Sequence, residues 1–455
     1  MNNLEGIKHI FFVGVAGTGM SALAQYAAGI GFTVSGSDRF FNNSTPNETQ
    51  EKLEQWGIQC FLQDASGITT QTQLVVISTA VEDTNIEVQK AHELGIPLIK
   101  RSDLLAIFCN QKNTIAVAGT SGKSTTSAMV YDILDFAGLS PSIISGAGLV
   151  RLHEKGLIGN AAVGKSDWLV IEADESDGSI VKYWSEIGLL LNVDKDHKEI
   201  HELLPLFEQF KQQSKRFITN QHNTLAATFS SNLQQDFGAD KNVGFSIDNF
   251  IQQGFTAQFT INDVPFSMNS IGYHNAENAL AATAVAVQLG LSLETCAAAL
   301  KNYKGIYRRN QVLGEKSGVL VVDDYAHNPA KVAAAIRGVQ PLQSKVIAWF
   351  QPHGYGPTRF LRADFVQEIA QALRPTDEIW MSEIYYAGGT AVKDISAGDL
   401  IADLQAKGAK AVFVPEKAAL VKVLKQQVQA PYVLLLMGAR DPNLAEFAAS
   451  VFEEL

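Results

Sequence analysis

Twice in this chain an apolar run breaks into a glycine turn and then into a helical stretch, and no other feature constrains the fold as tightly. The first instance is "HIFFVGVAGTGMSALAQYAAG" from His9, the second "TIAVAGTSGKSTTSAMVYDIL" from Thr114. A strand that feeds a helix through so short a turn belongs to a parallel α/β sheet. Later apolar strands, "QLVVIST", "GIPLIK", "GVLVVDDYA", "KVIAWFQ", "EIWMSE", "AVFVPE" and "PYVLLLMG", alternate with helical stretches and extend the same rhythm.

The two turns offer backbone amides at a helix start, which is where a phosphate binds. Gly14, Gly17 and Gly19 space as G-x-x-G-x-G, and the strand "TVSGSD" ends on Asp38, whose carboxylate can accept from a ribose or a base. Thr18 lies within that turn. In the second turn Gly119, Thr120, Ser121 and Gly122 can wrap donors around phosphates, Lys123 supplies a charge, and Ser124 a hydroxyl for Mg²⁺, with Thr125 following. It is a shortened P-loop, with Val117 where the first glycine is expected, and ATP is the expected ligand. Glu172, Asp174, Glu175 and Asp177 follow an apolar strand, where a carboxylate can complete a metal site; Asp177 reads as a solvated strand end. His197 follows another such strand and can ligate a divalent ion beside a carboxylate.

A length of 455 residues accommodates about three domains at roughly 150 residues each. The formal charge of -11 argues against broad attraction to nucleic acid or anionic membrane, so a small anion needs specific groups to hold it. Cys60, Cys109 and Cys296 lack metal-ligand spacing and are expected to be buried free thiols. No signal-peptide pattern and no run of roughly twenty apolar residues is seen, so the expected location is cytoplasmic, without membrane insertion. The first unit closes near "LLAIFCNQKN"; the second includes the β-rich "NFIQQGFTAQFTINDVPFSMNSIGYHN" and the helical "NAENALAATAVAVQLG"; joins are expected at about 109 and 310.

The ordered series "VGVAGTGMSALA", "SGSD", "AGTSGKST", "IEADESD", "NVDKDH", "GYHNAENALAA", "YRRN", "VDDYAHNP" and "FQPH" resembles the Mur ligase superfamily over nearly the whole chain. The resemblance implies three α/β domains: a Rossmann-like UDP-sugar-binding domain (1–108), a P-loop ATPase-like central domain (109–309) and a Rossmann-like amino-acid-binding domain (310–455). It is closest to the branch that joins L-alanine to UDP-N-acetylmuramate, using ATP and Mg²⁺ and passing through an acyl phosphate, in peptidoglycan precursor synthesis. Position by position it implies Lys123 on the ATP phosphates, with Ser124, Glu172 and His197 around Mg²⁺. Asn275 and Asn278 fall on the adenine side and Asp324 on the ribose. Arg308 or Arg309 is implied to reach the terminal phosphate, and Tyr325, His327, His353 and Arg359 to border the amino acid.

The chain departs from that branch at Gly354 and Pro357, where arginines are expected after "FQPH", at Asn328, which replaces a second histidine, and at Arg440 in "MGARDP". These positions leave the incoming amine open between L-alanine and a preformed peptide, the latter as in the recycling ligase of the same family. A catalytically silent nucleotide-binding relative is opposed by the retained Lys123, Glu172, His197 and Asp324. Nicotinamide-dependent oxidoreduction gives the second loop no task.

Overall fold

The computed structural model describes residues 3–42, 47–79, 81–194, 199–386, 388 and 392–455. The described residues form two compact units, one through Asn249 with Phe259–Ser267 and His274–Lys304, the other comprising Phe250–Gln258, Met268–Tyr273 and Gly305–Leu455.

The first unit opens with β1 (His9–Val13), α1 (Thr18–Gly29), β2 (Thr33–Asp38), α2 (Glu48–Gln55), β3 (Gln59–Leu62), β4 (Leu74–Ile77), α3 (Ile86–Glu93), β5 (Leu98–Lys100) and α4 (Arg101–Asn110). The strands make a fully parallel sheet in the order β3-β2-β1-β4-β5. Both faces of β1 are covered, which is why its sequence is a continuous apolar run rather than an alternating one.

A second sheet follows from β6 (Asn113–Ala118), α5 (Lys123–Phe136), β7 (Ser142–Ile144), α6 (Val150–His153), β8 (Ala161–Ala162), β9 (Trp168–Glu172), β10 (Ser185–Leu190), α7 (Ile200–Gln212) and β11 (Ser214–Thr219). Its order is β11-β10-β6-β9-β7-β8, parallel apart from the β7–β8 pair. Strand β6 therefore lies between β10 and β9, and the turn after it opens where the strand order reverses. That crevice, beyond the carboxyl ends of the strands, is where open α/β sheets bind ligands. Helix α4 does not end one core and begin another. Its Leu104, Phe108 and Cys109 share a core with Leu23 and Tyr26 of α1 and with Ala116 and Ile171 of the second sheet.

Strands β12 (Phe237–Gly238), β13 (Phe245–Gln253), β14 (Thr256–Ile261) and β15 (Val264–Asn269) form a small sheet in sequence order, followed by α8 (Tyr273–Gln288) and α9 (Leu293–Lys301).

The second unit contains β16 (Gln311–Lys316), β17 (Val319–Asp324), α10 (Pro329–Val339), β18 (Val346–Gln351), α11 (Tyr355–Phe360), α12 (Arg362–Ala372), β19 (Glu378–Met381), α13 (Ala397–Ala406), β20 (Ala411–Phe413), α14 (Leu420–Gln427), β21 (Tyr432–Gly438) and α15 (Leu444–Glu454). Its sheet order is β16-β17-β21-β18-β19-β20, parallel except for β16 on β17. Successive side chains of β21 point to opposite faces. Val433, Leu435 and Met437 join one core, while Tyr432, Leu434 and Leu436 join the other. Cys109 and Cys296 are buried thiols as expected, whereas Cys60 is only partly buried. No helix among the described residues is long and apolar enough to cross a membrane.

Candidate active site

The turn between β6 and α5 requires its glycines. Gly122 caps α5 at φ +83°, a left-handed conformation, and a Cβ there would sit 2.7 Å from Asn278 Oδ1. Gly119, at φ +136°, would bring a Cβ to 3.1 Å from the Asn192 backbone nitrogen. The loop is also fastened from β10. Thr120 Oγ1 donates to Asn192 Oδ1 at 2.8 Å, Ser121 N donates to the same oxygen at 2.9 Å, and Asn192 Nδ2 returns a bond to Ser121 O at 3.2 Å. Asn192 was not singled out in the sequence; its signal was its place at the head of "NVDKDH", two residues beyond the end of β10.

Strand β9 supplies the acid. Its register sets Glu172 beside Val117, two residues before the loop's first glycine. Ser124 Oγ donates to Glu172 Oε2 at 2.9 Å, while Ser145 Oγ and Gly146 N each donate to Oε1 at 2.7 Å. Lys123 Nζ donates to Gly119 O at 2.7 Å and to both carboxylate oxygens of Glu175, at 2.9 and 3.2 Å. Thr125 is half-buried in the first turn of α5. Asn278 accepts from Thr126 Oγ1 at 3.2 Å and donates to Asn275 Oδ1 at 3.2 Å, so both asparagines stand beside this helix. His197 lies outside the described residues.

Ser124 Oγ and the Glu172 carboxylate are hard oxygen donors close together, which suits a small divalent cation that keeps most of its shell as water or phosphate. Among the described residues no group of three His, Cys, Asp or Glu converges as a metal cage. A partly protein-held Mg²⁺ thus fits the residues present.

At the N-terminal turn, Gly17 N donates to Gly14 O at 3.1 Å, and Thr18 O accepts from the buried Asn160 Nδ2 at 2.7 Å. Asp38 is buried and accepts from Ala16 N and Phe40 N, each at 3.0 Å, so its carboxylate shapes the turn. Arg101, which the sequence did not flag, lies against Gly19 and pairs with Asp177 at 3.3 Å. Asp177 is therefore an ion-pair partner rather than a solvated strand end, and it also caps Ser179 N at 2.8 Å.

In the second unit, the carboxyl ends of β17, β21 and β18 gather a different set. Arg308 is buried: its Nε and Nη2 donate to Asp323 at 2.9 and 3.2 Å, and Nη2 also donates to Gly438 O at 3.0 Å. Burial pushes the Asp323 carboxyl up to about 6 against the opposing pull of Arg308. Arg309 is exposed. Asp324 accepts from Asn310 N and Ala326 N, each at 2.7 Å, and burial raises its carboxyl above the ordinary range. His327 Nδ1 meets Tyr325 O at 2.8 Å, a contact in which only the nitrogen can donate, so Nε2 carries the lone pair in the neutral ring. The His327 and His353 rings lie 5.8 Å apart. Burial, then His327 and Arg440, pull the His353 imidazole down to about 4, and its Nδ1 is buried with no hydrogen-bond partner among the described residues. Arg359 is already committed, to Asp394 at 2.6 Å and to Val392 O at 3.2 Å.

Three family models match along the chain: the Mur ligase family catalytic domain over residues 9–113, the Mur ligase middle domain over 117–286, and the Mur ligase glutamate ligase domain over 308–440. The chain belongs to the Mur ligase family. Among similar Mur ligases, the UDP-N-acetylmuramate--L-alanine ligase of Syntrophomonas wolfei is 35% identical, with 95% of each chain covered. That of Pelotomaculum thermopropionicum is 33% identical at the same coverage. The crystal structure of UDP-N-acetylmuramate-alanine ligase MurC from Thermotoga maritima superposes with a TM-score of 0.77 at 25% identity, covering 98% of each chain. A murein peptide ligase from Psychrobacter arcticus shares the Mur ligase fold, with a TM-score of 0.64 at 21% identity and 98% of each chain covered.

Proposed function

We propose that this Mur ligase joins an amino acid, L-alanine by default, to UDP-N-acetylmuramate at the expense of ATP, forming an acyl phosphate on the way, in cytoplasmic peptidoglycan precursor synthesis. The observation that carries the ATP half is the convergence of Lys123, Ser124 and Glu172 at the β6–α5 turn. The relatives at 33–35% identity, aligned over 95% of the chain, support the choice of substrates.

In this reading residues 1–108 hold the UDP-sugar through Gly14, Gly17, Thr18, Gly19 and Asp38. Residues 109–309 hold ATP through Gly119 to Thr125, with Asn275 and Asn278 on the adenine side, and residues 310–455 receive the amine. A muramoyl carboxylate oxygen attacks the γ-phosphorus and displaces ADP to give the acyl phosphate; the amine then adds to the acyl carbon, and the tetrahedral adduct expels inorganic phosphate and gives up a proton to form the amide. Lys123 offsets the charge that builds up on the transferring phosphoryl group, and Asp324 accepts from the ribose. Ser124 and Glu172, with His197, would hold Mg²⁺, which when bound neutralises phosphate charge. Because Arg308 is buried on Asp323, Arg309 is the better candidate for the terminal phosphate. Tyr325, His327 and His353 border the amine.

One observation favours a second reading in which the amine is a preformed peptide. Arg359, the expected partner of an amino acid's carboxylate, already pairs with Asp394, so a small amine must compete for it. Phosphate release with ATP, Mg²⁺ and UDP-N-acetylmuramate against a panel of amino acids and short peptides separates the two. Release that depends on L-alanine supports the first reading, release that depends only on a peptide supports the second, and release indifferent to any amine contradicts both.

A further inference from the structure

Lys123 is the only cation in the loop sequence 119–125, and an ammonium has three N–H donors. Two acceptor groups face it in this structure: the Gly119 carbonyl at 2.7 Å, and the Glu175 carboxylate, whose two oxygens lie at 2.9 and 3.2 Å and share one N–H. Asp174 lies farther off, at 3.9 Å, and is much more exposed. The Glu175 side chain is only 4% exposed, so it cannot turn to water when its partner leaves. A phosphate oxygen arriving at Lys123 therefore meets an ammonium whose charge is already matched by a buried carboxylate.

Building on the ATP reading above, we propose that Glu175 is the resident counter-anion of Lys123, and that nucleotide binds by exchange, its phosphate displacing the Glu175 carboxylate, in whole or in part, from the ammonium. Glu175 is then a positioning residue. It holds the ammonium inside the loop beforehand, and it weakens ATP binding because a buried carboxylate that loses part of its cation is costly. The exchange has a definite sign. A purely structural glutamate would stabilise the free and ATP-bound protein equally and leave ATP affinity unchanged. One that helped Lys123 hold phosphate would strengthen ATP binding. An exchanging partner stabilises only the free form, so its removal tightens ATP binding and lowers the stability of the free protein by the same free energy.

The test is calorimetric titration of the full chain with ATP in the presence of Mg²⁺, for the wild type, Glu175→Gln, Lys123→Met and the double variant. Glutamine keeps the shape and one oxygen acceptor but not the charge. Exchanging a charge-assisted hydrogen bond for a neutral one corresponds to about a fivefold to tenfold tightening in Glu175→Gln. In the Lys123→Met background most of that gain should vanish, since there is no ammonium to exchange. Thermal unfolding should show Glu175→Gln lowering the midpoint of the free protein more than that of the ATP-saturated protein. Unchanged or weaker ATP binding in Glu175→Gln overturns the proposal, as does a tightening that survives in full beside Lys123→Met, which would mean direct repulsion of phosphate by the carboxylate. A wild-type protein that binds no ATP overturns the ATP reading and the exchange with it, whereas normal wild-type binding with an unaltered variant overturns the exchange alone. If Glu175→Gln does not fold, Glu175→Asp withdraws the carboxylate by one methylene and predicts a change in the same direction.

Discussion

The Ser124 hydroxyl donates to the Glu172 carboxylate across 2.9 Å, tying the first turn of α5 to the end of β9. Two hard oxygens at the mouth of a phosphate loop make a place for a divalent ion, and neither reaches it without the other element. Glu172→Ala is therefore expected to raise the Mg²⁺ concentration needed for half-maximal turnover by roughly tenfold or more, the scale of losing one charged ligand contact. A magnesium titration of activity checks this; an unchanged half-saturation point contradicts the role of Glu172.

Lys123→Ala should abolish ligation while leaving UDP-N-acetylmuramate binding within about twofold. The loop after β6 and the turn after β1 are built by different sheets, and removing one pre-placed charge from a phosphoryl-transfer site costs on the order of a hundredfold or more in rate. Calorimetry with UDP-N-acetylmuramate alongside a turnover assay measures both, and equal loss of both contradicts the separation of sites.

Arg308 and Arg309 should part company. Arg308 is held by Asp323 and the Gly438 carbonyl in a buried environment, and removing one partner of a buried pair costs about 3–5 kcal/mol. Arg308→Ala is expected to lower stability by that amount in denaturant unfolding, whereas Arg309→Ala, at an exposed position, should lower it by less and reduce turnover. The reverse pattern contradicts the assignment.

His353 predicts an acid-sensitive second unit. Its imidazole is pulled from the ordinary 6.5 to about 4 by burial, His327 and Arg440. A histidine with a depressed folded value favours the folded state fully above about 6.5, and this contribution is lost as pH falls toward 4. Unfolding midpoints between pH 7 and pH 4 should therefore fall less steeply in His353→Gln than in the wild type. Parallel profiles would contradict the assignment of this loss to His353.

Much of this was legible because the buried strands are continuous apolar runs and their turns are marked by glycine. Strands β1, β2, β6, β17, β18 and β21 and helices α1 and α5 lie where those signals put them. Strand β16, "QVLGEK", was missed because it is a half-buried antiparallel edge of mixed polarity, interrupted at Gly314. The site was readable only as far as residue type and local spacing reach. Lys123 and Ser124 announce themselves within one loop, but the grip of Asn192 on Thr120 and Ser121 depends on β10 pairing beside β6. The engagement of Arg359 by Asp394, and of Arg101 by Asp177, likewise depends on tertiary contacts that no local pattern encodes.

The acyl-phosphate route is tested most directly by isotope transfer. UDP-N-acetylmuramate labelled with ¹⁸O in its muramoyl carboxylate, incubated with ATP, Mg²⁺, L-alanine and this protein, should give UDP-N-acetylmuramoyl-L-alanine together with inorganic phosphate that carries one ¹⁸O from the carboxylate, as read by mass spectrometry. Unlabelled phosphate accompanying the amide product would contradict attack of that carboxylate on ATP.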